Sequence, residues 1–122
     1  MKDVLKGCPD YFAVLSGDDN LTVDLIKSGG HGVISVASNL IPRELTTMVS
    51  SALRGDFGQA DQLNAKYLPL FEGIFIETNP IPVKAVLAMQ GLIKETYRLP
   101  MCELNPKNRE RLAVLVKELG VI

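Results

Sequence analysis

Tyr11-Phe12-Ala13-Val14-Leu15-Ser16-Gly17-Asp18-Asp19 and Gly29-Gly30-His31-Gly32-Val33-Ile34-Ser35-Val36 are the two most informative segments of this chain. Residues 11–15 are continuously apolar and are closed by Ser16-Gly17. The pattern predicts a buried strand of the parallel type, apolar on both faces. Residues 33–36, entered through Gly32, predict a second one. Between them, Asp19 or Asn20 can cap a short helix with Leu21, Leu25 and Ile26 on its inner side, and Gly29-Gly30 stops it. Strand, helix and strand joined by short connections form a βαβ unit, so the expected class is α/β with a parallel sheet.

Downstream, Asn39 and Pro42 open a longer helix to about Leu53, ended by Gly55. Residues 56–122 hold no convincing strand. Phe57, Ala60, Leu63, Tyr67, Leu68 and Phe71 recur at helical spacing to about Ile74, with Pro69 expected to kink the helix. Asn79-Pro80-Ile81-Pro82 reads as a stiff loop. Val83, Val86, Leu87 and Gln90 follow on a short helix ended by Gly91, and Arg98-Leu99-Pro100 is expected to be extended. Asn105 caps a last helix, with Pro106 at its first position and Leu112, Leu115, Val116 and Leu119 on its apolar side. The expected division is 1–55, strand–helix units, and 56–122, a three-helix extension.

Composition excludes several function classes. The chain has 122 residues, 47% of them hydrophobic, with a positive mean hydropathy of +0.17, which is too apolar for disorder. Thirteen basic against fourteen acidic residues leave no basic excess for nucleic acid or an acidic membrane surface. No apolar run approaches the roughly 20 residues of a membrane span. The N-terminal residues lack the apolar core of a signal peptide, so a cytoplasmic location with reduced Cys8 and Cys102 is expected. One histidine and two distant cysteines do not make a zinc ligand set.

Two parallel strands cannot bury both of their faces. Either other chains complete the sheet or the polypeptide is part of something longer. Residues 1–6 read as the last turns of a helix, with Gly7 as its stop.

Four motifs then fall in one order: Ser16-Gly17-Asp18-Asp19, residues 29–36, Asn79-Pro80-Ile81-Pro82-Val83-Lys84, and Arg98-Leu99-Pro100. Together they resemble the C-terminal part of the dihydrodipicolinate synthase (4-hydroxy-tetrahydrodipicolinate synthase) family, over the whole chain. The resemblance implies the end of a (β/α)₈ TIM barrel, with residues 11–15 as strand seven and 33–36 as strand eight, plus the helical extension. It implies a class I aldolase-type lyase of lysine biosynthesis, the diaminopimelate pathway, that condenses pyruvate with L-aspartate-4-semialdehyde. In that family a lysine forms a Schiff base with pyruvate, and a tyrosine and a threonine relay protons; all three fall upstream of this chain. None of the eight lysines here lies at a predicted strand end, and Lys84, the only one inside a motif, reads as structural. No catalytic residue, cofactor or metal is therefore assigned to this chain, which is expected to be inactive alone. The family further implies a homo-oligomer, a tetramer, with no nucleic acid or membrane partner.

The resemblance also implies substrate-binding positions, each with a plainer alternative. The Ile34 carbonyl would face pyruvate while its side chain packs the barrel. Gly17 would bring backbone close to a ligand, or only turn the chain after a strand. Asp18 and Asp19 would lie near the semialdehyde pocket; being adjacent, they cannot both face it, and one of them would serve as a helix cap. Asn79 would reach the second-substrate end of the pocket, or only shape the turn before Pro80. His31 lies at the N-terminal end of its strand, the stability face of a barrel, and reads as structural. Competing readings are another pyruvate-dependent aldolase such as N-acetylneuraminate lyase, a non-catalytic assembly fragment, and a small α/β regulator with an acidic pocket. The last needs about five strands where two are read.

Overall fold

Helix α1 (Lys2–Gly7) opens the fold, and a short β1 (Leu15–Ser16) follows. A 3-10 helix, Asp19–Leu21, then runs into α2 (Thr22–Lys27). β2 (Gly32–Val33), a second 3-10 helix, Ala37–Asn39, and α3 (Pro42–Leu53) complete the first part. Three helices come after it: α4 (Phe57–Gly73), α5 (Ile81–Met89) and α6 (Pro106–Glu118). The structure, a computed structural model, describes residues 2–122, so Met1 of the expected first helix lies outside them.

β1 and β2 pair in parallel with α2 as the crossover, in the register Leu15 with Gly32 and Ser16 with Val33. This is the expected βαβ unit, but its strands are much shorter than the apolar runs. The expected strand at 11–15 shrinks to Leu15–Ser16, and the one at 33–36 to Gly32–Val33. Ladder hydrogen bonds need a neighbour, and the described residues supply one two-stranded sheet. Tyr11 and Phe12 are consequently exposed rather than buried, Tyr11 at 88%. Ile34, expected to pack a core, is 70% exposed. Of the three residues expected on the inner side of α2, Leu25 and Ile26 are buried and Leu21 is not.

The helices follow local chemistry closely. Pro42 starts α3 at its first position, and Gly55, at φ +82°, leaves the helix in a conformation that side chains rarely adopt. Asp56 caps α4 by accepting from the Gln59 N–H at 3.2 Å. Pro69 does not interrupt α4, which runs on to Gly73. Its missing N–H falls on an exposed face, where water can serve the freed carbonyl. Asn105 caps α6 by accepting from the Lys107 N–H at 3.0 Å. Leu99-Pro100 forms a turn rather than an extended segment, closed by the Met101 N–H donating to the Arg98 carbonyl at 3.0 Å.

One apolar cluster holds the chain together, with Val23, Met48, Leu70, Ile74, Val86 and Leu112 among its buried members. α4 packs against α2 and α3 and also against α6, so the core runs across residue 55 without a break. α5 lies against α6 and against the 3-10 helix that follows β2. Among the described residues no helix is long and apolar enough to cross a membrane.

Candidate functional site at the strand ends

Gly17, Asp18, Asp19 and Ile34 gather where the two parallel strands end. The Ile34 N–H donates to the Ser16 carbonyl at 2.9 Å, which sets Ile34 beside the turn containing Gly17. Ser16, itself buried, closes that turn: its Oγ donates to the Asp18 carbonyl at 2.7 Å and accepts from the Asp18 N–H at 3.2 Å. Thr22 Oγ1 also donates to the Asp18 carbonyl, at 3.0 Å. The turn is held by its backbone and hydroxyls, and the Asp18 side chain faces solvent.

Asp19 does the opposite. It is 2% exposed, and its Oδ2 accepts from the backbone N–H groups of Val36 at 3.1 Å and Ala37 at 3.0 Å. These are orphan donors at the start of the 3-10 helix after β2, and a carboxylate there satisfies both its hydrogen bonds and its dipole. Of the adjacent acids, Asp19 therefore takes the capping part, across the sheet rather than on its own helix. Ser35 Oγ accepts from the Ser38 N–H at 2.8 Å and completes the same cap.

Gly17 has neither a positive φ nor a neighbour that a Cβ would meet within 4 Å. Neither a forced turn nor packing within the chain accounts for a glycine there. His31 sits at the opposite end of β2. Its N–H donates to the Val14 carbonyl at 2.8 Å, and its Nδ1 accepts from the Val14 N–H at 3.1 Å. That extends the strand pairing by one residue and is a structural role.

Asn79 lies apart, exposed, in a turn before α5, with the Asn79–Pro80 bond cis. The turn is anchored on both sides. On one side Glu77 Oε1 accepts from the Asn105 N–H at 3.0 Å and from Asn108 Nδ2 at 2.8 Å, tying it to the start of α6. On the other, the Tyr97 hydroxyl lies 3.3 Å from the Ile81 carbonyl and 3.0 Å from Glu95 Oε1. Arg109 pairs with the same Glu95 oxygen and holds its carboxyl below the ordinary range. Burial, then the Glu95 hydrogen bond, pushes the Tyr97 phenol up to about 12. Lys84 donates to the Thr96 carbonyl and lies 5.0 Å from the centre of the Tyr97 ring, a structural cation–π contact. Spacing alone could not have pointed to Glu77, Glu95, Tyr97 or Arg109, because their partners lie 14 to 31 residues away, apart from the local Tyr97–Glu95 bond.

A concavity of about 390 Å³ opens between β2 and α3, lined by Leu15, His31, Val33 and Ser38 among others. None of Gly17, Asp18, Asp19, Ile34 or Asn79 lines it. Cys8 and Cys102 are free thiols, and among the described residues no group of three or more His, Cys, Asp or Glu could hold a metal ion.

Comparison with known proteins bears on the whole chain. The model of the Dihydrodipicolinate synthetase family matches residues 1–119. The 4-hydroxy-tetrahydrodipicolinate synthase of Acidobacterium capsulatum is 50% identical over 120 residues, which are 98% of this chain and 40% of that protein. The crystal structure of the Aquifex aeolicus dihydrodipicolinate synthase superposes with a TM-score of 0.96 at 41% identity, covering 98% of this chain and 41% of the other. The chloride-inhibited Acinetobacter baumannii enzyme, crystallised with pyruvate, matches with a TM-score of 0.95 at 37% identity, over 99% of this chain and 42% of its own. The chain thus spans about two fifths of the length of these relatives. With the family model, the sequence identity and the backbone all in agreement, the chain belongs to the dihydrodipicolinate synthetase family.

Proposed function

We propose that this chain is the C-terminal part of a Schiff-base-forming lyase that condenses pyruvate with L-aspartate-4-semialdehyde to 4-hydroxy-tetrahydrodipicolinate. In this reading β1 and β2 are strands seven and eight of a (β/α)₈ barrel, residues 1–55 are its last two strand–helix units, and 56–122 are the helical extension. The observation that carries it is the gathering of Gly17, Asp18 and Ile34 at the C-terminal ends of two parallel strands, where barrel enzymes place their chemistry. Open space around Gly17 supports a close backbone approach by a ligand.

The lysine amine attacks the pyruvate carbonyl and water leaves. The resulting iminium withdraws electrons, a methyl proton is lost, and the enamine attacks the aldehyde. That lysine and its proton relay belong to the remaining part of the protein. Residues of this chain position ligands: the Ile34 carbonyl toward pyruvate, Asp18 and Asn79 toward the semialdehyde. The assembled enzyme is proposed to be a homo-oligomer that works without a cofactor.

The test is borohydride trapping with labelled pyruvate, on residues 1–122 alone and after co-folding with a polypeptide supplying strands one to six. The chain alone should take no label and show no condensation above background, whereas the complex should be labelled on a lysine of the other polypeptide. A labelled lysine within 1–122 would refute the assignment. In the active complex, Asn79→Ala should raise the KM for the semialdehyde more than that for pyruvate. Equal effects would leave Asn79 a turn residue only.

A further inference from the structure

We propose that Asp19 is a positioning residue that sets the Ile34 carbonyl from behind, by clamping the backbone that leaves β2. The inference rests on the reading of Ile34 as a pyruvate contact and adds a residue that works through it. β1 ends at Ser16, so the last backbone bond that β1 lends its neighbour is Ile34 N–H to Ser16 C=O, at 2.9 Å. Beyond Ile34, β1 lends β2 no further ladder bond among the described residues. Asp19 Oδ2 takes over, accepting from Val36 and Ala37 at 3.1 and 3.0 Å. Ile34 is thereby held between two fixed points, its own N–H and the pair of N–H groups two and three residues on.

Three features separate this from an ordinary surface cap. The carboxylate is buried, so water does not compete for its bonds, and charge-assisted bonds of this kind are the stronger class. Within this chain the residue it serves has an exposed side chain, so among the described residues it is held by backbone bonds rather than by packing. And the second oxygen, Oδ1, is buried without a partner. An asparagine could keep the Oδ2 bonds only by placing an NH₂ group at that unpartnered position, so rescue by asparagine should be incomplete.

The experiment compares Asp19→Ala and Asp19→Asn, in the chain and in the complex with the complementing polypeptide. Amide hydrogen exchange is the first readout. Asp19→Ala should speed exchange at Ile34, Val36 and Ala37 by roughly tenfold or more, and Asp19→Asn by clearly less, while the His31 amide, bonded to the Val14 carbonyl, stays protected. The second readout is kinetic: Asp19→Ala should raise the pyruvate KM and leave the semialdehyde KM unchanged, with partial recovery in Asp19→Asn. Unchanged exchange at Val36 and Ala37 overturns the proposal, as does uniform loss of protection in both variants, or an effect confined to the semialdehyde KM. If the wild-type complex binds no pyruvate while the local exchange pattern holds, the clamp stands and the role of Ile34 in substrate binding fails.

Discussion

Tyr97 lies outside every motif of the chain, yet its hydroxyl sits 3.3 Å from the Ile81 carbonyl, two residues past Asn79, while it donates to Glu95. Its phenol is pushed up from 10.0 to about 12, first by burial and then by its bond to Glu95. A raised phenol pKa means that the folded state holds the proton more tightly. The stability this contributes is complete below pH 10.0 and is lost as pH rises through about 12. Glu95 works in the other direction. Its carboxyl is lowered from 4.5 by Arg109, so its contribution is present above pH 4.5 and is lost as pH falls below that. We therefore expect Tyr97→Phe to flatten the alkaline fall in denaturation midpoint between about pH 10 and 12 while keeping an acid limb. An unchanged alkaline limb in Tyr97→Phe would show that the phenol is not held as described.

At the scale of elements, close approaches between segments depend on residues that lack a side chain. A Cβ at Gly30 would meet Leu25 Cγ at 2.4 Å and the Leu25 carbonyl at 3.0 Å. Leu25 is fully buried and its carbonyl is fixed by accepting the Gly30 N–H, so nothing there can give way. Gly30→Ala should cost about 1–3 kcal/mol, the usual range for overpacking. At Gly73, where α4 crosses α6, the Cβ would meet Leu115 Cδ2 at 2.5 Å, which is the tip of a half-buried side chain that can rotate. Alanine also recovers up to about 1 kcal/mol of helix propensity there. Gly73→Ala should therefore be close to neutral. Urea denaturation of both variants checks the contrast, and equal losses would contradict it.

For the molecule as a whole, the two-stranded sheet is the part with open edges among the described residues. Tyr11, Phe12, Leu15 and Ile34 are exposed around two strands that pair only with each other among the described residues. Unpaired strand edges flanked by apolar side chains are templates for pairing with another chain. Residues 1–122 alone should self-associate at low micromolar concentration, as sedimentation would show, and the complementing polypeptide should reverse it. Ile34→Lys, which changes only an exposed side chain, should weaken the association without loss of helical circular dichroism. A monodisperse monomer of the unaltered chain would rule out the edge-pairing account and leave the apolar surface unexplained.

What the sequence determined by itself was local. Pro42 and Gly55 bound α3, and Asn105 with Pro106 opens α6, because capping bonds and backbone sterics are settled by residues within a turn of one another. The βαβ order was legible for the same reason, as runs and stops. Strand length was not, since an apolar run becomes a ladder only where a neighbour supplies hydrogen bonds, and residues 11–13 have none here. The site divides along the same line. That residues 16–19 and 35–37 lie at the strand ends was readable from the βαβ pattern, whereas the substrate-binding roles of Gly17, Asp18, Asp19, Ile34 and Asn79 came only from the resemblance. That Asp19 turns inward to Val36 and Ala37 while Asp18 faces solvent was decided only by the tertiary structure. Partners 17 and 18 residues away are brought within 3.1 Å by the parallel pairing of two strands, and no local pattern encodes that distance.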